Sequence, residues 1–140
     1  MSPTQPNNLA QLHRDFLDRL TRKLAAAHQV VGDKVAEELQ ASVSEPFPPA
    51  SEPGEPPHRR SGDLERGIGH ELVVDQNVTS EIKSTSEHSA PVEFGSSHEV
   101  PLKDGGTKTV VVAPRPFMRP SMAKESQEWV GKIAEQMRGK

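Results

Sequence analysis

Residues 9–39, LAQLHRDFLDRLTRKLAAAHQVVGDKVAEEL, decide the fold of this chain. Apolar side chains recur along them at steps of three or four residues, which places these side chains on one face of an α-helix. The stripe comprises Leu9, Leu12, Phe16, Leu20, Leu24, Ala27, Val31, Val35 and Leu39. We therefore predict a long N-terminal helix over residues 8–43. Such a helix would be about 50 Å long, more than one small core can cover, so part of the stripe is expected to pack on another subunit.

A Pro-rich stretch follows this helix. Residues 44–60 include Pro46, Pro48, Pro49, Pro53, Pro56 and Pro57. Because proline fixes φ and lacks a backbone N–H, the stretch can form neither a helix nor a central strand, and the first helix must end before Pro46. We predict a Pro-rich linker over residues 44–60 that is extended or mobile. Two interpretations stay open: a semi-rigid arm, and a ligand for domains that bind Pro-rich segments.

Residues 61–115 show the patterns of β-strands. Two runs place apolar or small side chains at every second position: Ile68, His70, Leu72 and Val74, and then Val78, Ser80 and Ile82. Alternate residues of a strand share one face of a sheet, and Gln76–Asn77 between the runs suits a turn. The two runs therefore predict a hairpin with one buried face.

A second hairpin is predicted around residues 96–108. Lys103–Thr107, KDGGT, has strong turn chemistry, and Thr109–Val112 is rich in β-branched residues. Val100–Leu102 and Thr109–Val112 are expected to be the two arms, and the loop 96–108 is expected to project and to contact a partner. Between the two hairpins, Ala90–Gly95 is expected to be a short compact element that ends on a glycine.

A second long helix is predicted over residues 117–138. Pro120 suits a first helical position, and one face carries Met122, Trp129, Val130, Ile133 and Met137. Taken together, the patterns predict an α+β fold in a single domain, 1–140. It comprises a long N-terminal helix, a small antiparallel β-sheet with a projecting hairpin loop, and a C-terminal helix packed on the sheet.

The composition favours a component of an assembly. Hydrophobic residues make up only 32 % of the chain, so the core is expected to be thin and to be completed against neighbours. The net charge of −3 argues against a DNA-binding protein, which would show a basic excess. The absence of cysteine excludes disulfides and thiolate metal sites. The N-terminal residues lack the pattern of a signal peptide, and no stretch is apolar enough for a membrane span, so no membrane partner is expected.

No pattern of catalytic residues is present. The six histidines, His13, His28, His58, His70, His88 and His98, include no pair at the spacing of helical metal ligands. Gly67-Ile68-Gly69 lacks the third glycine and the following helix of a dinucleotide-binding loop. We therefore expect a protein that is not an enzyme and that holds neither a cofactor nor a metal.

Three segments carry a resemblance to a known family. Residues 53–57 (PGEPP) lead into 60–68 (RSGDLERGI), which looks like "Gly-x-Pro-Pro … Thr/Ser-Gly-x-Leu-x-x-Ser-Ile". Residues 90–96 (APVEFGS) resemble "Tyr-Ala-x-x-Val-Glu-Phe-Gly-Thr", and 114–122 (PRPFMRPSM) are close to "Arg-Pro-Phe-Leu-Arg-Pro-Ala-Leu". In this order, between two helices, the segments resemble the tailed-bacteriophage tail-component family of neck, head–tail joining and tail-completion proteins. The departures, such as Gly67 in place of serine, are small changes in side-chain size.

The resemblance implies a structural virion protein, assembled in the host cytoplasm and located in the neck or tail. It implies a ring at the head–tail joint, of about six copies with about twelve as the alternative, through which DNA passes as cargo. The neighbours would be head-completion or connector proteins and tail-tube or tail-terminator proteins. Two alternatives stay open: a tail terminator that caps the tail tube, and an adaptor that binds through the Pro-rich stretch.

The same segments supply the candidate interface and structural residues. They are Leu64, Ile68, Glu93, Phe94, Gly95, Arg115, Phe117, Arg119 and Pro120. Phe94 and Phe117 are expected to maintain the fold, with Phe117 as a core anchor, and Gly95 is expected to allow a turn with positive φ. Glu93 is expected to pair with Arg115 or Arg119, and pairing within one subunit and pairing between subunits both stay open.

Overall fold

A computed structural model describes residues 5–46, 49–59 and 61–139 of the chain. The elements are α1 (Gln5–Ser42), α2 (Asp63–Arg66), β1 (Ile68–Val74), β2 (Val78–Ser84), α3 (Ser89–Phe94), β3 (Ser96–Pro101), β4 (Thr107–Val112) and α4 (Met118–Met137). The predicted α+β fold with long first and last helices is confirmed. The strands form two separate antiparallel pairs, β1–β2 and β3–β4, in place of the single small sheet expected.

The β1–β2 hairpin forms as its alternation predicts. His70 lies opposite Ile82 and Leu72 lies opposite Ser80, so the expected inner face is the observed one. Three residues close the hairpin between the paired Val74 and Val78. This face lies against the middle of α1.

The β3–β4 hairpin is longer than the sequence indicates. Ser96 already pairs with Val112, and Pro101 pairs with Thr107, so most of the predicted loop 96–108 is strand. Only the tip remains a loop, and Leu102 N donates a hydrogen bond across it to Gly106 O (2.7 Å). The predicted first arm, Val100–Leu102, lacks the beginning of β3, because Ser96–Glu99 are polar and show no alternation. We call this hairpin the β-ribbon.

The core lies between α1, the β1–β2 hairpin and α4. One cluster joins Ala27, Val31 and Val35 of α1 to Ile133 of α4. The other joins Leu39 and Val43 at the end of α1 to Ile68 and Phe117. The first half of α1 contributes to neither cluster.

The ends of α4 differ a little from the prediction. The helix begins at Met118, so Pro120 is its third residue and not its first. Proline is tolerated there because the first N–H groups of a helix have no partner within the helix. Val130, expected on the buried face, is 77 % exposed. Among the helices that the structure describes, none combines the length and the apolar character of a membrane span.

The described residues of the Pro-rich stretch, 44–46 and 49–59, are held against the body and do not form a free arm; Pro48 lies outside the described residues. Gly54 N donates to Pro114 O (3.0 Å), and the guanidinium of Arg115 donates to Ser51 O. A β-bridge joins Pro46 to Arg59 at the ends of the segment. The segment thus bonds the body through one backbone donor, Gly54 N, and one backbone acceptor, Ser51 O, which a count of prolines cannot reveal.

Candidate functional site

The buried carboxylate of Glu93 closes the N-terminus of α4. Glu93 lies on α3 and is 4 % exposed. Its Oε2 accepts hydrogen bonds from Phe117 N (2.8 Å) and Met118 N (3.0 Å), and its Oε1 accepts one from Arg119 N (2.8 Å). The first amides of a helix lack partners within it and carry the positive end of the helix dipole. A negative charge from a distant part of the chain therefore acts as the cap that α4 lacks in its own sequence.

The ionised form of Glu93 is the stable one in this position. Burial by itself would raise the pKa of the carboxyl. The backbone amides of Phe117, Arg119 and Met118, together with the side chain of Arg119, outweigh burial and hold the pKa below its ordinary value. The carboxylate thus works as a fixed anion, and its oxygens are occupied by helix amides.

Arg119 is the partner of Glu93 that the sequence proposed, and the pair is within one chain. Arg119 Nε lies 3.0 Å from Glu93 Oε1, and Nη2 donates to Glu93 O (3.3 Å). The guanidinium also lies over the ring of Phe94, 4.7 Å from its centroid. Phe94 is 63 % exposed, so it makes this contact at the surface and is not part of the buried core. Because Glu93 takes the inward direction at the end of α3, the next side chain points to the surface.

Gly95 makes the turn that the sequence predicts. Its φ is +80°, a region that side-chain-bearing residues rarely adopt. A Cβ at Gly95 would lie 2.8 Å from Val112 O and 3.1 Å from Pro114 Cδ. Glycine is therefore needed at Gly95 both for its backbone angle and for the close approach of β4.

Arg115 does not pair with Glu93. Its Nε and Nη2 donate to Ser51 O at 3.2 and 3.1 Å, and its backbone N donates to Val92 O (2.8 Å). The side chain thus fastens the Pro-rich segment to the body. This role was not visible in the sequence, since the acceptor is a backbone carbonyl.

The three motif segments meet at one place, which we call the motif junction. Phe117 is 1 % exposed and packs with Ile68, and Leu64 and Val92 pack against the same cluster. Pro120 lies exposed beside the junction, in the first turn of α4. The junction joins separate parts of the fold, because the side chains of Glu93, Arg115 and Arg119 each bond another segment of the same chain.

A pair of histidines between α1 and β1 forms a second polar centre that the sequence did not single out. The His70 side chain is 1 % exposed; its Nδ1 lies 2.9 Å from Asp33 Oδ1, and its Nε2 has no hydrogen-bond partner among the described residues. His28 Nδ1 lies 3.0 Å from Ser80 Oγ. A Cβ at Gly32 would lie 2.2 Å from His70 Nε2. Gly32 therefore provides the space for this ring.

Burial and charge favour the neutral form of His28. Burial lowers the pKa of its imidazole, and the nearby His70 lowers it further. The ring packs edge-on to Trp129 of α4, with centroids 5.3 Å apart. Among the described residues no group of His, Cys, Asp or Glu side chains has the arrangement of a metal site.

Two apolar surfaces lie uncovered. The first is the start of α1, residues 8–23, which we call the arm. Its exposed apolar side chains, from 43 to 71 % exposed, are Leu9, Leu12, Phe16, Leu17 and Leu20. The second is the β-ribbon, where the exposed Val100 and Val112 share one face, Val111 lies on the other face and Leu102 lies at the tip. An exposed contiguous apolar patch marks a binding surface in a soluble protein.

Comparison of the chain with models of known families, with curated proteins and with solved structures finds no match.

Proposed function

We propose that this chain is a structural virion protein of a tailed phage that forms a ring at the head–tail joint, through which DNA passes. The residues that resemble the tail-component family lie together at the motif junction, where they fix α3 and α4 on the end of α1. This arrangement supports the proposal because each of the three motif segments helps to hold these elements together. The proposed role is therefore assembly, without catalysis.

The exposed arm is the observation that carries the proposal. The stripe of α1 is continuous, but only its second half meets α4 and the β1–β2 hairpin. The stability of a helix in a protein comes mainly from packing of its apolar face. The apolar stripe of α1 is buried in its second half and exposed in its first half. A subunit whose core is completed by a neighbouring copy would have such an exposed continuation.

A ring requires that one surface of each copy meet a different surface of the next copy. The arm and the β-ribbon lie on separate elements of the chain, so the molecule offers more than one surface for such contacts. The net charge of −3 is compatible with a conduit that does not retain DNA, since retention depends on basic side chains that neutralise phosphates. The fastened Pro-rich segment gives no support to the adaptor alternative, which needs an accessible extended ligand.

Electron microscopy of a phage that carries an early stop codon in this gene tests the proposal. Filled heads beside separate tails are expected in negatively stained lysates. The matched control supplies the intact gene in trans, which should restore joined particles. Abnormally long tails would assign the terminator role instead. Normal infectious particles would overturn a structural role in the virion.

A further inference from the structure

A groove lies between α1 and α4, and all of its lining residues belong to these two helices. Its volume is about 410 Å³. The floor is apolar and comprises Val30, Val31 and Val35, of which Val30 is half exposed. Lys34, Glu38 and Glu135 lie on the rim. We call this feature the α1/α4 groove.

We propose that the arm of one copy docks in the α1/α4 groove of a second copy of this chain, in a head-to-tail contact. This inference rests on the proposed ring and names the two surfaces that would meet in it. Each copy has one arm and one groove, and the two lie on different parts of the molecule. The contact is therefore heterologous, as a closed ring requires.

The apolar surfaces fit this pairing. The arm is an amphipathic helix about 24 Å long, and Leu12 and Phe16 are about half exposed on it. Such a helix binds by laying its apolar face in a groove with an apolar floor. The docked arm would cover Val30 and would form a third helix beside α1 and α4.

The charges are complementary as well. The arm carries four basic residues against two acidic ones, a net charge of +2: Arg14, Arg19, Arg22 and Lys23, with Asp15 and Asp18. Four charged residues line the groove: Lys34, Lys132, Glu38 and Glu135. Lys132 is neutralised by ion pairs with carboxylates beside the groove, so Lys34, Glu38 and Glu135 leave the lining with a net charge of −1. Lys132 is already paired with Glu125 (2.8 Å) and Glu128 (3.3 Å), so it does not repel the arm as a free cation would.

The β-ribbon is a poorer seat for the arm. Its charged residues, Glu99, Lys103, Asp104 and Lys108, balance one another, so they give the basic arm no attraction. Pairing of two arms is disfavoured too, because both carry the same net charge of +2. Of the arm, the β-ribbon and the α1/α4 groove, only the groove carries a net negative charge.

Disulfide cross-linking in the full chain tests the docking, since the chain has no cysteine of its own. The test protein carries Leu12→Cys on the arm and Val30→Cys in the groove. These positions lie about 27 Å apart on one continuous helix, so they cannot bridge within a chain. Head-to-tail docking should yield a ladder of dimers, trimers and larger species under mild oxidation. Phe16→Cys with Val30→Cys is a second pair for the same contact.

The matched control combines Leu12→Cys with Val111→Cys on the β-ribbon and should yield no ladder. A ladder from the control in place of the test protein, or dimers from Leu12→Cys alone, would overturn arm–groove docking. No cross-linked product from either groove pair in folded protein would overturn it as well. Native mass spectrometry of the unaltered chain and the stop-codon phage report on the ring independently. If native mass spectrometry shows a ring but cross-linking gives no ladder, only the docking is refuted. If cross-linking gives a ladder but the stop-codon phage assembles normally, only the virion role is refuted.

Discussion

The carboxylate of Glu93 and the backbone amide of Phe117 are joined by a hydrogen bond of 2.8 Å between two elements 24 residues apart. This bond fixes the start of α4 and, with it, the position of the Phe117 ring in the core. Removal of the carboxylate would leave three amides of a helix N-terminus without an acceptor. The motif junction is thus one cooperative unit, in which a local cap and a core anchor depend on each other.

Glu93→Ala is expected to destabilise the fold by about 2–4 kcal/mol, because charge-assisted hydrogen bonds to buried donors are lost together with a helix cap. Glu93→Gln keeps an acceptor oxygen without the charge, so it should cost roughly half as much. Chemical denaturation measures both changes. Glu99→Gln on the exposed β-ribbon is the control and should shift the free energy of unfolding by less than about 0.5 kcal/mol. Equal losses for Glu93→Gln and Glu99→Gln would contradict the capping role.

The lowered pKa of Glu93 predicts a loss of stability in acid. The folded pKa lies below the ordinary value of 4.5, so the contribution is present above pH 4.5 and is lost as the pH falls through the folded pKa. Denaturation midpoints between pH 6 and pH 3 measure this loss of stability in acid. In Glu93→Gln, stability should fall less steeply with decreasing pH than in the unaltered chain. An unchanged slope would mean that other carboxylates dominate.

His28 predicts a separate change nearer to neutrality. Its folded pKa lies below the ordinary value of 6.5, so the neutral ring stabilises the fold above pH 6.5, and that stability declines as the pH falls below this value. His28→Gln keeps a group that can bond Ser80 but does not titrate, and it should remove the decline between about pH 7 and pH 5.5. The exposed His98 supplies the control variant, His98→Gln, which should retain the decline. Persistence of the decline in His28→Gln would refute this assignment.

Gly32→Ala is expected to destabilise the chain by about 1–3 kcal/mol, because the added Cβ would lie 2.2 Å from the His70 ring. Gly131→Ala is the matched control in α4, where nothing lies within 4 Å of the added carbon. It should stabilise by about 0.5–1 kcal/mol, as alanine does in an open helix position. His70→Ala should relieve the clash, so the double variant with Gly32→Ala should lose less than the sum of the two single losses. An additive result would mean that the ring does not set the size limit at Gly32.

Local periodicity accounts for the parts of this fold that the sequence predicts. The α1 stripe, the β1–β2 alternation and the α4 stripe each repeat over several residues, and each appears where predicted, apart from the exposed Val130. The positive φ of Gly95 and the core position of Phe117 were also predictable, because glycine readily adopts positive φ and an aromatic side chain flanked by prolines is held in a fixed position. The contacts of Arg115 and Gly32 were not, since each depends on a residue distant in sequence with which it shares no pattern. The surface position of Phe94 was not predictable either, because hydrophobicity alone does not say which of two adjacent side chains at a helix end points inward.

The arm allows assembly to be separated from folding. Leu12→Gln with Phe16→Gln is expected to leave the free energy of unfolding within about 0.5 kcal/mol, because both side chains are already largely in water. The same change should abolish self-association, because it removes apolar area that only a partner would bury. Analytical ultracentrifugation over a concentration series measures the association, and denaturation of the same samples measures the fold. Val130→Gln, also at an exposed valine but on α4, is the control and should leave both unchanged. An arm variant that assembles like the unaltered chain would show that the exposed stripe of α1 is not the contact surface.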